Sequence, residues 1–222
     1  MKFKIFMTVC CALFLTFAGL AQEKTETKQP AETAVKYTAK DYQDLLAKLK
    51  GGDTNIDYKA LRMAFAETAE YSYSGPDKAE REKFFKPFND KKYKDALKQA
   101  EKFMETNYVD ANAHYVAYNS AKELKDDKKA EFYKAVLLGL LNSIKGGNDG
   151  LSEKTPFYVI TIDEEYTLLK FLGLQRGSQS LNHLDGHTFD VLTVTDPKNN
   201  QTMKLFFNID VVWAAEMKLF GK

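Results

Sequence analysis

The residues best suited to chemistry lie in two short stretches. Asn182-His183-Leu184-Asp185-Gly186-His187 sets two imidazoles four positions apart with a carboxylate between them, and Asp163-Glu164-Glu165 is a run of acids. Histidines with a carboxylate are common zinc ligands, and a pair of carboxyls can supply a general acid and a general base for hydrolysis. A zinc pair at this separation works when a helix turns both rings to one face; here Gly186 makes the segment read as a turn leading into a strand. The expectation is a polar loop whose histidines are solvated or cap backbone groups, with His183, Asp185 and His187 kept as the metal candidates. Asp163 to Glu165 open a helix, where free N–H groups and the helix dipole favour carboxylates. Structural capping is the reading adopted for them. A hydrolase-type or metal-dependent enzyme joining the His183/Asp185/His187 loop to Glu164 and Glu165 is the alternative.

Other reactive groups add little. His114 sits in an alanine-rich helix with Tyr118 four residues on and reads as packed. Gly-x-Ser-x-Gly is absent, so the usual serine nucleophile turn has no candidate. Gly146-Gly147-Asn148-Asp149-Gly150 has neither the spacing of a phosphate loop nor that of a calcium loop, and reads as a helix stop. No catalytic or cofactor-binding residue is assigned and no cofactor is expected. Twelve tyrosines remain, and this side chain offers wide contact area with a polar tip. Tyr71, Tyr73, Tyr115 and Tyr118 are the candidates for contact with a protein, peptide or glycan, with packing at the edge of the core as the plainer account.

The compartment follows from the first residues. Lys2 and Lys4, the apolar run from Ile5 to Leu20 and the Gly19-Leu20-Ala21 end form a secretory leader, with cleavage expected after Ala21. The run is shorter than the roughly 20 apolar residues a span requires, so no stable membrane span is expected after cleavage. Both cysteines, Cys10 and Cys11, lie inside it, so the exported chain can form neither disulfides nor thiolate sites. Losing Lys2 and Lys4 takes the formal charge from +1 to −1. A nearly neutral protein has no polycationic surface for a phosphate backbone, and nucleic acid is not an expected partner. A periplasmic or secreted location is expected.

The elements that must carry these residues can be read from periodicity. Residues 22–40 form a polar spacer. Helices are expected from Thr38 and Asp41, which resemble a capping box, to Gly51-Gly52, over about 56–70, and then over 77–88, 92–106, 110–124 and 127–145. Ala130 lies 34 residues beyond Ala96, the period of tetratricopeptide repeats, and Ala113, Ala117 and Ala121 form a small-residue stripe of the kind that admits a neighbouring helix. An ordinary antiparallel helical bundle is the other account of that spacing. Beyond Lys145 a strand is expected over 156–162, a helix from Asp163 to Leu172, a polar separator over 175–186, a strand from His187 to Thr195, a five-residue loop, a strand over 202–209 and a closing helix. The fold class is α+β: an N-terminal layer of antiparallel tetratricopeptide-like helices over 41–147, and a tail over 148–222 with a small β-hairpin and strand packed on it.

Taken in order, Ile56-Asp57-Tyr58 through Leu61-Arg62, Tyr71-Ser72-Tyr73, Ala113-His114, the glycine-rich turn, Asp163-Glu164-Glu165-Tyr166, and Gly186-His187 through Asn208-Ile209-Asp210 resemble the bacterial exported proteins grouped as domain of unknown function 4919. The likeness runs from about Tyr42 to Asp210. It implies an exported, tetratricopeptide-like protein and carries over no catalytic or binding residues. The functional expectation is a non-catalytic interaction or scaffold module of the bacterial envelope.

Overall fold

The computed structural model describes residues 36–221, so the leader expected over residues 1–21 and all but the end of the expected spacer lie outside the described residues. From residue 36 onward the chain forms one compact unit. Helix α1, Ala39–Lys50, begins at Thr38, whose hydroxyl accepts from the Asp41 N–H while the Asp41 side chain answers the Thr38 N–H. The capping box is real, and it orients Tyr42, Leu46 and Leu49 into the core. Helix α2, Tyr58–Phe65, is capped by Asp57 and is shorter than the 56–70 expected. Beyond Phe65 the N–H groups of Glu67 and Thr68 reach back only three residues, and the Thr68 hydroxyl takes the Phe65 carbonyl, so the helical ladder closes there.

Four further helices complete the layer: α3, Lys78–Asn89; α4, Tyr93–Phe103; α5, Ala111–Glu123; and α6, Asp127–Lys145, which stops at Gly146 in a left-handed conformation. Helix α5 packs on both α4 and α6, and α6 also meets α2. Ala96 on α4, Ala113 and Ala117 on α5 and Ala130 on α6 are all buried, so the small residues lie where these helices approach one another. Gly139 lets α6 and α2 approach closely: a Cβ there would fall 2.3 Å from the Tyr58 ring of α2.

The tail holds a four-stranded sheet of order β1-β4-β3-β2, from β1, Phe157–Tyr158; β2, Gln175–Leu184; β3, His187–Asp196; and β4, Gln201–Asn208. Helix α7, Ile162–Leu172, lies between β1 and β2 in the chain, and α8, Asp210–Leu219, closes it. The α+β architecture with a closing helix is therefore present.

In the tail, three details differ from expectation. The strand expected over 156–162 keeps only two paired residues, because the Ile160 N–H turns to the Glu164 carboxylate and the Ile162 N–H to the Tyr73 carbonyl. The polar separator contains β2, antiparallel to β3, with Asp185 and Gly186 closing the hairpin at φ 52° and 82°; Asp-Gly suits a tight turn that needs left-handed backbone at both positions. Asp196 pairs with Gln201, so the next loop has four residues.

Two apolar clusters result. One fills the helical layer around Leu61, Phe65, Phe84, Leu97 and Leu140. The other lies between the sheet and its helices, around Leu168, Leu192, Leu205 and Phe207. Helix α6 serves both, giving Val136, Leu137 and Leu140 to the first and Ile144 to the second.

Candidate functional site

Three successive acids at the start of α7 go to three different environments. Thr161 caps the helix, its hydroxyl accepting from the Glu164 N–H. That leaves the carboxyls free for longer reach. Asp163 takes both terminal nitrogens of Arg81, from α3, while Arg81 also donates to Asp110, the cap of α5, at 2.7 Å. Thr167 donates to Asp163 and accepts from Asn112. Burial disfavours the Arg81 charge, but the bonds and charges of Asp163 and Asp110 outweigh it and hold its pKa above the ordinary value. Glu164 accepts from Nε of Arg62 at 2.8 Å and from Nη2 of the same side chain. Arg62 is wholly buried and also donates to the Tyr158 carbonyl and the Ser143 hydroxyl. One guanidinium thus joins α2, α6, β1 and α7.

Glu165 has no such cation. Its side chain is fully buried and neither oxygen has a donor partner among the described residues. It faces Asp190 of β3, and burial first, then the Asp190 charge, push its carboxyl up to about 9. Two ionised carboxylates hold no proton to share, so a hydrogen bond between them requires one of the two carboxyls to keep its proton. Asp190 is likewise raised, by burial, while Gln179 of β2 donates to it at 2.7 Å. Arg176 lies over the Tyr166 ring at the outer side of this cluster.

The histidines are placed apart. The antiparallel register sets His183 opposite Thr188 and Leu184 opposite His187, so the two imidazoles lie on opposite faces of the β2–β3 hairpin. His183 meets the Thr188 hydroxyl at 3.2 Å and stacks edge-on against Trp213. His187 meets Asp210, which also accepts from the Thr188 N–H. Asp185 occupies the turn. Among the described residues no three His, Asp or Glu side chains are grouped to hold a metal ion. Glu164 is spent on Arg62, and Glu165 lies on α7 against Asp190, so these acids and the histidines share no centre. His114 is fully buried, with Nε2 at 2.7 Å from the Tyr108 carbonyl, and desolvation lowers its pKa to about 4.

The four tyrosines sit at the margin of the core. Tyr71 donates to the Ile160 carbonyl at 2.6 Å, and Tyr73 packs against the sheet cluster. Between and after them Ser72 and Ser74 turn outward and line a cleft of about 320 Å³. Tyr115 meets Phe88 and Phe171 edge-on with Lys170 over its ring, and Tyr118 packs on the helical cluster. Sequence reasoning missed Arg62 and Arg81. The one signal for Arg62 was a cation inside the apolar Leu61–Phe65 stripe of a short helix.

The largest opening among the surface cavities described lies elsewhere, between the end of α1 and the start of α6. It measures about 770 Å³ and is lined by Leu49, Phe132, Tyr133 and Ala135, with Lys50 and Lys128 among its charged residues. Lys129, also on the lining, is held by Glu101, which takes the Tyr133 hydroxyl as well.

Helical layer, mixed sheet and closing helix define an α+β protein whose notable acids are engaged inside the fold. The chain belongs to the family described as Domain of unknown function (DUF4919), which matches residues 30–218. No curated protein and no solved structure matches it.

Proposed function

We propose that the protein is an exported, non-catalytic interaction module of the bacterial envelope, whose tetratricopeptide-like helical layer holds a peptide segment of a partner protein. The observation that carries this reading is the open groove between α1 and α6. Its floor offers apolar and aromatic surface at the half-buried Phe132 and Ala135, and among the described residues Lys50 and Lys128 are in no salt bridge, whereas of the acids on the lining Asp126 caps α6 and Glu131 pairs with Lys134. An apolar side chain flanked by carboxylates would satisfy both features: the floor gains by burial and the ammonium groups steer approach. The 34-residue spacing of Ala96 and Ala130, on two helices that both pack against α5, supports the repeat-like reading. The leader pattern over residues 1–21 supports export.

The test is photo-crosslinking in the native envelope from a reactive residue at Ala135, with a second at exposed Lys98 as control. A defined partner band from Ala135 alone, lost in Lys50→Glu/Lys128→Glu, is expected. Because both lysines lie on the surface, the double variant should melt as the parent does. Equal labelling at both sites, or capture indifferent to the charge reversal, would refute the groove. Recovery of the protein with its N-terminus at Met1 rather than Gln22 would refute export.

A further inference from the structure

We infer that β2 is a self-association edge, through which two copies of this chain join their sheets into one. The sheet order leaves β2 outermost, and among the described residues nothing pairs with its free side. All ten of its residues are exposed, from Gln175 to Leu184. A strand of this length with an open row of N–H and C=O groups is a template for another strand, and proteins usually blunt such an edge with lysine, proline or inward charge. Here the sequence Gln-Arg-Gly-Ser-Gln-Ser-Leu-Asn-His-Leu contains no lysine and no proline. Arg176 is its one formal charge and sits beside the irregularity between Arg176 and Gln179. The regular part, from Gln179 to Leu184, carries no formal charge with its histidine neutral, and Leu181 is 46% exposed within it.

The occupant that fits is a second β2. Strands β4, β3 and β2 alternate in direction, so a neighbour running antiparallel to β2 continues the sheet. A two-fold axis midway between the two strands and perpendicular to the sheet makes the copy antiparallel and closes the assembly at two subunits. With the axis at Leu181, that residue meets its own copy, Ser180 meets Asn182 and Gln179 meets His183. This register gives an apolar pair at the centre, flanked by hydrogen-bonding pairs, and brings no charges together while the histidines are neutral. Arg176 stays outside it. The chain's near-zero formal charge, +1 in full, adds no long-range repulsion between copies. A peptide of unrelated sequence could use the same backbone groups but would lack the Leu181 pair.

Sedimentation equilibrium of the protein at increasing concentration, joined to amide exchange of β2, tests this directly. The expected result is a monomer–dimer equilibrium, with slower exchange over Gln179–His183 at high concentration. Leu181→Arg sets two guanidinium groups at the axis and should weaken the dimer by about tenfold or more while leaving the near-ultraviolet spectrum of the monomer unchanged. Ser180→Arg, on the other face of the strand, guards against a folding defect in the first variant and should weaken the dimer in the same sense. A protein that stays monomeric at high concentration overturns the inference. So does a dimer that is indifferent to both substitutions, or one in which β2 exchanges as fast as in the monomer.

Discussion

At the scale of single residues, burial decides which ionisable groups influence stability at neutral pH. Glu165 is the clearest case. Its folded pKa, about 9, lies above the ordinary carboxyl value, so the folded protein keeps a proton that the unfolded chain releases. The associated stability is fully present below the unfolded pKa and is lost as pH rises through 9. Denaturant titrations between pH 7 and 8.5 should show the parent losing stability, with one proton setting a ceiling of ~1.4 kcal/mol per pH unit. Glu165→Gln, which keeps a donor for Asp190 without the ionisation, should flatten that slope. Parallel slopes in the two proteins would mean that Glu165 is ionised throughout. His114 acts with the opposite sign, since its depressed pKa removes stability as pH falls from about 6.5 towards 4. That window lies below the one chosen.

At the scale of elements, helices with a buried face announced themselves, and the strand without one did not. Tyr42, Leu46 and Leu49 show α1 at once, and the Thr38 box and Gly146 mark real helix ends. Strand β2 has no buried residue, so hydropathy has nothing to alternate; only its backbone pairing with β3 defines it. The same limit hid the arginine hubs, because the partner of Arg62 lies 102 positions away at Glu164. Close approach of helices is also invisible to pattern. In an exposed helix, replacing Gly139 by alanine would add stability, about 1 kcal/mol. Here the new methyl would strike the Tyr58 ring, and overpacking of this kind costs about 1–3 kcal/mol. Gly139→Ala should therefore lower the melting temperature, and Tyr58→Ala in the same chain should remove that penalty. A higher melting temperature in the single variant would show that α2 and α6 can separate without cost.

At the scale of the molecule, the question is whether two apolar clusters fold as one. Arg62, itself fully buried, reaches from α2 to Glu164 of α7 and the Tyr158 carbonyl of β1, and α6 runs through both clusters. Arg62→Met would leave Glu164 buried without its cation, at a cost of about 3–5 kcal/mol. Pairing it with Glu164→Gln removes the stranded charge and should restore most of the loss, since an ion pair exchanged as a whole for neutral groups is often close to neutral in stability. Trp213, the only tryptophan, reports on the sheet side through α8, while the far-ultraviolet signal comes chiefly from the helices. In the parent and in Arg62→Met the two signals should be lost at the same denaturant concentration, because Ile144 and Leu140 hang on one helix and neither cluster can open alone. Separate transitions in the variant would make the Arg62–Glu164 pair, not α6, the element that couples the two halves.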